Sequence, residues 1–287
     1  MLTAAETQTV PDDRILPFTR VAAVAVIGVL VLAWIVLFVF PGQTDHRFAW
    51  TIDARMTVML MGAGYGSAIY FFLRVVTERR WHRVTLGFVP TTVFTWMMLG
   101  ATLVHWDRFR HGSAPFLLWF WVYLITPILV PAVWLLNRGS DPHTLEERDA
   151  MLPGWCRSAM IVAGVGLTAI AAWMYLAPGS AISVWPWPLT TLTARAVSAF
   201  VALPGVAWLA IARDGRWSAA RVMLATIAIG LALLLIAVAR AWSEFDPTDL
   251  VRWVYVGGLV ATLAAIVALA FWMRRTIASQ VTPPTTR

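Results

Sequence analysis

Eight apolar stretches constrain this chain more than any motif in it, each of them free of Asp, Glu, Lys, Arg and His away from its ends. They run approximately over 21–40, 56–76, 84–104, 115–136, 158–176, 196–211, 222–238 and 251–273. A hydrocarbon core of roughly 30 Å takes about 20 helical residues to cross, so most of these stretches are long enough to span it. With 60% hydrophobic residues and a mean hydropathy of +0.72, the chain carries more apolar surface than one soluble core can hide. The runs are continuous rather than alternating, and in lipid every backbone group must find a partner within its own segment, which selects helices over a barrel. The expectation is an all-α, polytopic membrane bundle of eight transmembrane helices. Pro204-Gly205 interrupts the short sixth stretch, and an account with seven crossings requires that stretch to be re-entrant. The first stretch leads into Phe40-Pro41-Gly42 rather than a small-x-small cleavage site and reads as a retained span.

Landmarks recur in order along the chain. Ala33-Trp34 before Pro41-Gly42 answers to Ala172-Trp173 before Pro178-Gly179, and Trp50 to Ala54-Arg55 answers to Trp187 to Ala194-Arg195. Arg80-Trp81 returns as Arg216-Trp217, Trp106-Asp107-Arg108-Phe109 as Trp242-Ser243-Glu244-Phe245, and Trp121-Val122-Tyr123 as Trp253-Val254-Tyr255. Aromatic girdles explain the tryptophans of any polytopic protein but not the shared neighbours, so the chain reads as one four-helix unit written twice. Four helices per unit is an even number, which makes the repeats parallel, related by an axis along the membrane normal. The expected organisation is a head at 1–20, a first repeat at 21–138, a linker at 139–157, a second repeat at 158–275 and a tail at 276–287. The polar stretches before Arg14 and after Arg275 are expected to be mobile.

All 22 basic residues are arginine. Only Arg47, Arg55, Arg108, Arg110, Arg195, Arg240 and Arg252 fall on one side of the predicted bundle, and the other 15 fall opposite, so the positive-inside rule places both termini in the cytoplasm. The net charge of +7 is thereby a topology signal and calls for no nucleic-acid partner. On this topology Trp81 and Trp217 mark the inner boundary, Trp106 and Trp242 the outer one, and all four read as interface anchors.

The apolar interior lacks the ionisable groups that proton relays and ion-coupled carriers place near the midplane. Thr91, Thr92, Thr95 and Thr102 could line a polar path, but threonines in such helices usually satisfy a nearby carbonyl. Gly62 and Gly66 form a small-residue ridge suited to close helix packing. Pro90, Pro127, Pro131 and Pro204 each remove a backbone donor and predict kinks. Cys156 has no partner for a disulfide, no histidine or cysteine spacing fits a metal or haem, and no nucleophile elbow or phosphate loop occurs, so no cofactor and no catalytic residue is expected.

Chemistry gathers instead at the outer helix ends, where Asp53, Arg55, His105, Asp107, Arg195, Arg240 and Glu244 stand. Duplication pairs Arg55 with Arg195 and His105 with Arg240, each pair facing across the pseudo-axis. An arginine at a helix N-terminus opposes the positive end of the macrodipole, so Arg55 and Arg195 need either carboxylates, from Asp53, Asp107, Glu244 or Asp246, or an anionic ligand. The first gives a static ion-pair lid. The second gives a guanidinium seat for a lipid phosphate or another anion. Two functions follow: a non-catalytic binding or passage protein with membrane lipid as partner, or an accessory or assembly subunit contacting other membrane subunits. A membrane redox subunit or enzyme trails both. The run from Trp185-Pro186-Trp187-Pro188 through Thr190-Thr191 to Ala194-Arg195 resembles a stretch in uncharacterised multi-pass membrane proteins of bacteria, especially actinobacteria. The resemblance implies a bacterial plasma membrane and brings no activity or site residues.

Overall fold

A computed structural model describes residues 12–245, 248 and 250–279. Eight helices in it are long and apolar enough to cross a membrane: α1 (Pro17–Val39), α2 (Arg55–Thr77), α3 (Thr85–Val104), α4 (Ala114–Ser140), α5 (Gly154–Leu176), α6 (Thr191–Asp214), α7 (Trp217–Arg240) and α8 (Leu250–Ser279). The chain is therefore an all-α, multi-pass membrane protein. The sixth stretch, short on sequence, is a 24-residue helix that carries Pro204 inside it, so nothing in its length requires it to turn back. Its start is fixed by Thr190, whose hydroxyl accepts from the Thr193 amide while Thr193 reciprocates, and its end by Gly215, whose φ of 77° only glycine adopts without strain. Pro90 stands in the first turn of its α-helical segment, where the missing N–H has no intrahelical carbonyl to lose.

The packing has a centre and a rim. Helices α2 and α6 touch each other and bury 61% of their most apolar window, whereas α1 and α8 bury 17% and 6% and lie outside. Around the centre, α1 packs on α2 and α5 on α6, α7 packs on α2 and α3 on α6, and α4 and α8 close the ends against α3 and α7. The Gly62 ridge is a packing surface: a Cβ on Gly62 would lie 2.9 Å from the Phe38 backbone nitrogen, and one on Gly66 would lie 2.7 Å from Trp34. The α3 hydroxyls line no path, because Thr91, Thr92, Thr95 and Thr102 donate to the carbonyls of Gly87, Phe88, Thr92 and Met98.

One expectation about the tryptophans is corrected. Trp106 and Trp242 are exposed, 42% and 39%, as interface residues should be, but Trp81 is 0% and Trp217 8% exposed. Trp81 and Trp217 belong to the core because the segments leading into α1 and α5 fold back over them. The Trp81 amide donates to the Asp13 carbonyl at 2.8 Å, the Trp217 amide donates to the Ala150 carbonyl at 3.0 Å, and short bridges join Arg14 to Arg80 and Met151 to Arg216. Asp13 is buried, although a mobile head was expected before Arg14, and α8 continues to Ser279; residues 1–11 and 280–287 lie outside the described residues.

Candidate functional site

At the end of the bundle where α2 and α6 begin, the seven predicted residues divide into bonded and open groups. Glu244, in the turn after α7, places its two carboxylate oxygens 2.9 Å from the backbone amides of Arg55 and Met56. It caps α2 across 189 residues of sequence, satisfying two donors that a helix start leaves free and offsetting the macrodipole. The Arg55 side chain is exposed, as is Asp53, and neither has a side-chain partner among the described residues. Arg195 donates from Nε to the Tyr175 carbonyl at 3.0 Å and from Nη1 to His105 Nε2 at 2.6 Å. Arg240 donates to the Phe38 carbonyl, with its guanidinium 5.5 Å from the centre of the Phe38 ring. Asp107 meets only its neighbour Arg108, at 3.4 Å and in the open. Among the described residues no hydrogen bond or ion pair links Arg55 to Arg195 or His105 to Arg240. Arg55, Arg195 and Arg240 thus share one end of three mutually packed helices, α2, α6 and α7, and none is paired with a carboxylate among the described residues. Asp246, a partner considered from sequence, lies outside the described residues.

Arginine only donates, so His105 Nε2 must accept, and the ring is the neutral tautomer with its proton on Nδ1. Burial, reinforced by the Arg195 charge, lowers the His105 pKa from its ordinary value. The fold therefore favours the neutral ring. The Arg195 contact is complete above the unfolded value of about 6.5, and its stabilisation is lost as pH falls from there through the lowered folded value. Thermal unfolding in detergent should show a midpoint that drops as pH falls below about 6.5, and His105→Gln, which keeps an acceptor and cannot titrate, should flatten that drop. Superimposable profiles for the two proteins would refute this assignment.

The denser polar cluster lies at the opposite end and was not anticipated. Asp13, held at a φ of 52° that aspartate tolerates better than most residues, accepts from the His82 amide at 3.0 Å, and its second oxygen lies 2.6 Å from His82 Nδ1. His82 Nε2 is 2.9 Å from Glu146 and 3.2 Å from Ser218 Oγ, and the Ser218 hydroxyl and amide both donate to Asp149. The Ser218 proton is committed to Asp149, and carboxylate oxygens of Asp13 and Glu146 flank the two ring nitrogens of His82. An Asp, His and Ser in line suggest hydrolytic chemistry, but here the hydroxyl proton points away from the histidine, and Ser218 and His82 are 4% and 1% exposed. The arrangement joins elements and offers no open nucleophile.

Segment 141–149 is the strap that this cluster holds. Arg83 forks onto Glu146 at 2.7 and 2.6 Å and reaches Glu78 at 3.2 Å, while Arg74 also pairs with Glu78. Burial works against the Glu146 carboxylate, yet the Arg83 fork, with Arg80 and His82 nearby, holds its pKa down to about 2; the same fork raises that of Arg83. Arg216 forks onto Asp214 at 2.8 and 2.7 Å and onto Asp141 at 2.9 and 2.8 Å, raising its own pKa; despite burial, its fork holds the Asp141 carboxyl below the usual range. The sequence did hold a signal for this cluster. Asp13 and Asp149 are separated by 136 positions, as are Arg80 and Arg216, and His82 and Ser218.

No protein-family model, curated protein or solved structure matches this chain. None of these comparisons identifies a family behind the Trp185 to Arg195 run.

Proposed function

We propose that the chain is a non-catalytic membrane binding protein that holds an anion or an anionic lipid head group at the Arg195 end, facing outward from a bacterial plasma membrane. The observation that carries this reading is that Arg55, Arg195 and Arg240 stand at the same end of three mutually packed helices, α2, α6 and α7, each guanidinium without a carboxylate partner among the described residues. Backbone carbonyls and a neutral histidine orient two of them without neutralising their charge, and planar guanidinium forks suit phosphate-type oxyanions. Asp53 and Asp107, both exposed, set the rim of the site. A passage role draws less support, since the interior threonines of α3 are satisfied by their own helix.

The architecture in this proposal is two parallel four-helix repeats, 21–138 and 158–275, with both termini cytoplasmic. Supporting it, the pairing of α1 with α2 recurs as α5 with α6, α3 with α4 as α7 with α8, and α2 with α7 as α6 with α3. The backbone bridges over Trp81 and Trp217 match as well. The accessory-subunit alternative rests on exposed apolar faces of α1, α5 and α8, which lipid covers equally well.

Titration of detergent-purified protein with inorganic phosphate and with a short-chain phosphatidylglycerol, read through tryptophan fluorescence, tests the site. Saturable binding that weakens in Arg55→Ala and in Arg195→Ala, and is lost in the double variant, is the expected result. A double variant that binds as the parent does would remove the proposal.

A further inference from the structure

A second amphiphile site lies at the other end of the bundle and stands independently of the outward-facing one. A groove of about 1020 Å³ opens between α3, α4 and α6 beside the strap. Its walls are apolar, formed by Val89, Trp134, Val206 and Leu209 among others, while Arg138 and Arg213 line it at the ends of α4 and α6. Val206 precedes Arg213 by seven positions, about 10 Å along the helix at 1.5 Å per residue. The apolar part therefore lies deeper in the membrane than the cations. The acidic residues in the lining are already engaged: Asp141 and Asp214 both hold Arg216. Arg138 rests 5.8 Å from the Trp134 ring centre and, like Arg213, is exposed and has no carboxylate partner among the described residues. An apolar slot at chain depth beneath two uncompensated guanidinium groups at head-group depth matches one molecule in charge and in polarity.

We propose that this groove seats an acyl chain of an anionic phospholipid of the surrounding bilayer, with the lipid phosphate held between Arg138 and Arg213. A guanidinium pair at the membrane surface binds phosphate by fork geometry and by the local field, and the chain fills a slot that water would occupy at a cost. A comparison within the same protein sharpens the assignment. The groove of about 800 Å³ between α5, α6 and α8, lined by Trp155, Trp208, Trp272 and alanines, has no charged residue in its lining. It offers a chain a wall but offers a phosphate nothing.

Native mass spectrometry of protein released from nanodiscs of phosphatidylglycerol, or of phosphatidylcholine with the same chains, tests the site. The parent should retain phosphatidylglycerol selectively, and Arg138→Gln/Arg213→Gln should lower that retention roughly tenfold or more, the scale expected for two interfacial cations. Ala210→Trp, which fills the groove and leaves both arginines, should lower it as well. Arg274→Gln/Arg275→Gln, which removes the same charge from the end of α8, should not. The two exposed arginines carry no buried contacts, so their double variant folds as the parent does and keeps the test decisive if Ala210→Trp fails to assemble. The same comparison in an Arg55→Ala/Arg195→Ala background, where the fall caused by Arg138→Gln/Arg213→Gln should persist, separates this site from the one at the Arg195 end. Equal retention of the two lipids by the parent, or unchanged phosphatidylglycerol retention in the Arg138/Arg213 variant, would overturn the proposal.

Discussion

Arg216→Ala is expected to be among the most destabilising single changes in the protein, costing about 3–5 kcal/mol, the range for removing one partner from a buried ion pair. Arg216 is 5% exposed and forks onto both Asp141 and Asp214, so its loss leaves the buried Asp141 and the half-buried Asp214 carboxylates without their guanidinium. The damage is to the strap. Asp141 lies at one end of the segment whose other members, Glu146 and Asp149, bind Arg83, His82 and Ser218, so freeing it loosens the connection between α4 and α5. Arg216→Lys should recover only part of the loss, since an ammonium cannot serve two carboxylates in bidentate fashion. Neutralising the acids alongside, in Asp141→Asn/Asp214→Asn/Arg216→Met, should recover more than lysine does, because the penalty comes from orphaned charge. Thermal unfolding of the purified variants orders them. A single alanine variant that melts with the parent would show that the forks contribute nothing to the folded state.

Trp81→Ala and Trp106→Ala should differ sharply even though the two residues read alike in sequence. Trp81 is wholly buried, its ring 5.0 Å from Phe88 in the cluster beneath the bridge of Arg14 to Arg80. Truncating such a side chain costs about 3–5 kcal/mol in lost transfer and cavity terms. Trp106 is 42% exposed and packs edge-on against Phe116 and Phe120 at the membrane boundary, so its removal should cost a small fraction of that. Similar melting temperatures for the two variants would contradict the core assignment of Trp81.

These contrasts show where sequence is a sufficient guide. The helices were legible because a bilayer demands long continuous apolar runs, and α2 and α3 fall within a residue of where those runs were drawn. Pro204 weakened the sixth run on paper, yet α6 passes through it, since its start and stop are set by the Thr190 cap and by Gly215. The charged residues at the Arg195 end stand out in the sequence because they lie beside aromatic residues at helix ends. Their bonds do not. Glu244 reads as a partner for a guanidinium and instead holds two backbone amides of α2, and His105 meets Arg195 rather than its own repeat equivalent. The opposite end escaped for a different reason. Its arginines were already accounted for by topology, and Asp13, His82, Glu146 and Ser218 come from four distant segments that only the folded bundle brings within hydrogen-bond reach.

Sidedness bears most directly on the account, which sets Arg55, Arg195 and Arg240 outside the cell and the strap inside it. Cys156, the only cysteine, is buried, so Cys156→Ser gives a background for single reporters. Gln43→Cys, Ser183→Cys and Ser243→Cys sample three exposed connections at the Arg195 end, and Arg79→Cys and Thr144→Cys sample the other. In intact cells, a membrane-impermeant thiol reagent should label the first three and reach the last two only after permeabilisation. Labelling of Thr144→Cys from outside would contradict the outward face of the arginine site, and a split among the first three would contradict the parallel two-repeat arrangement.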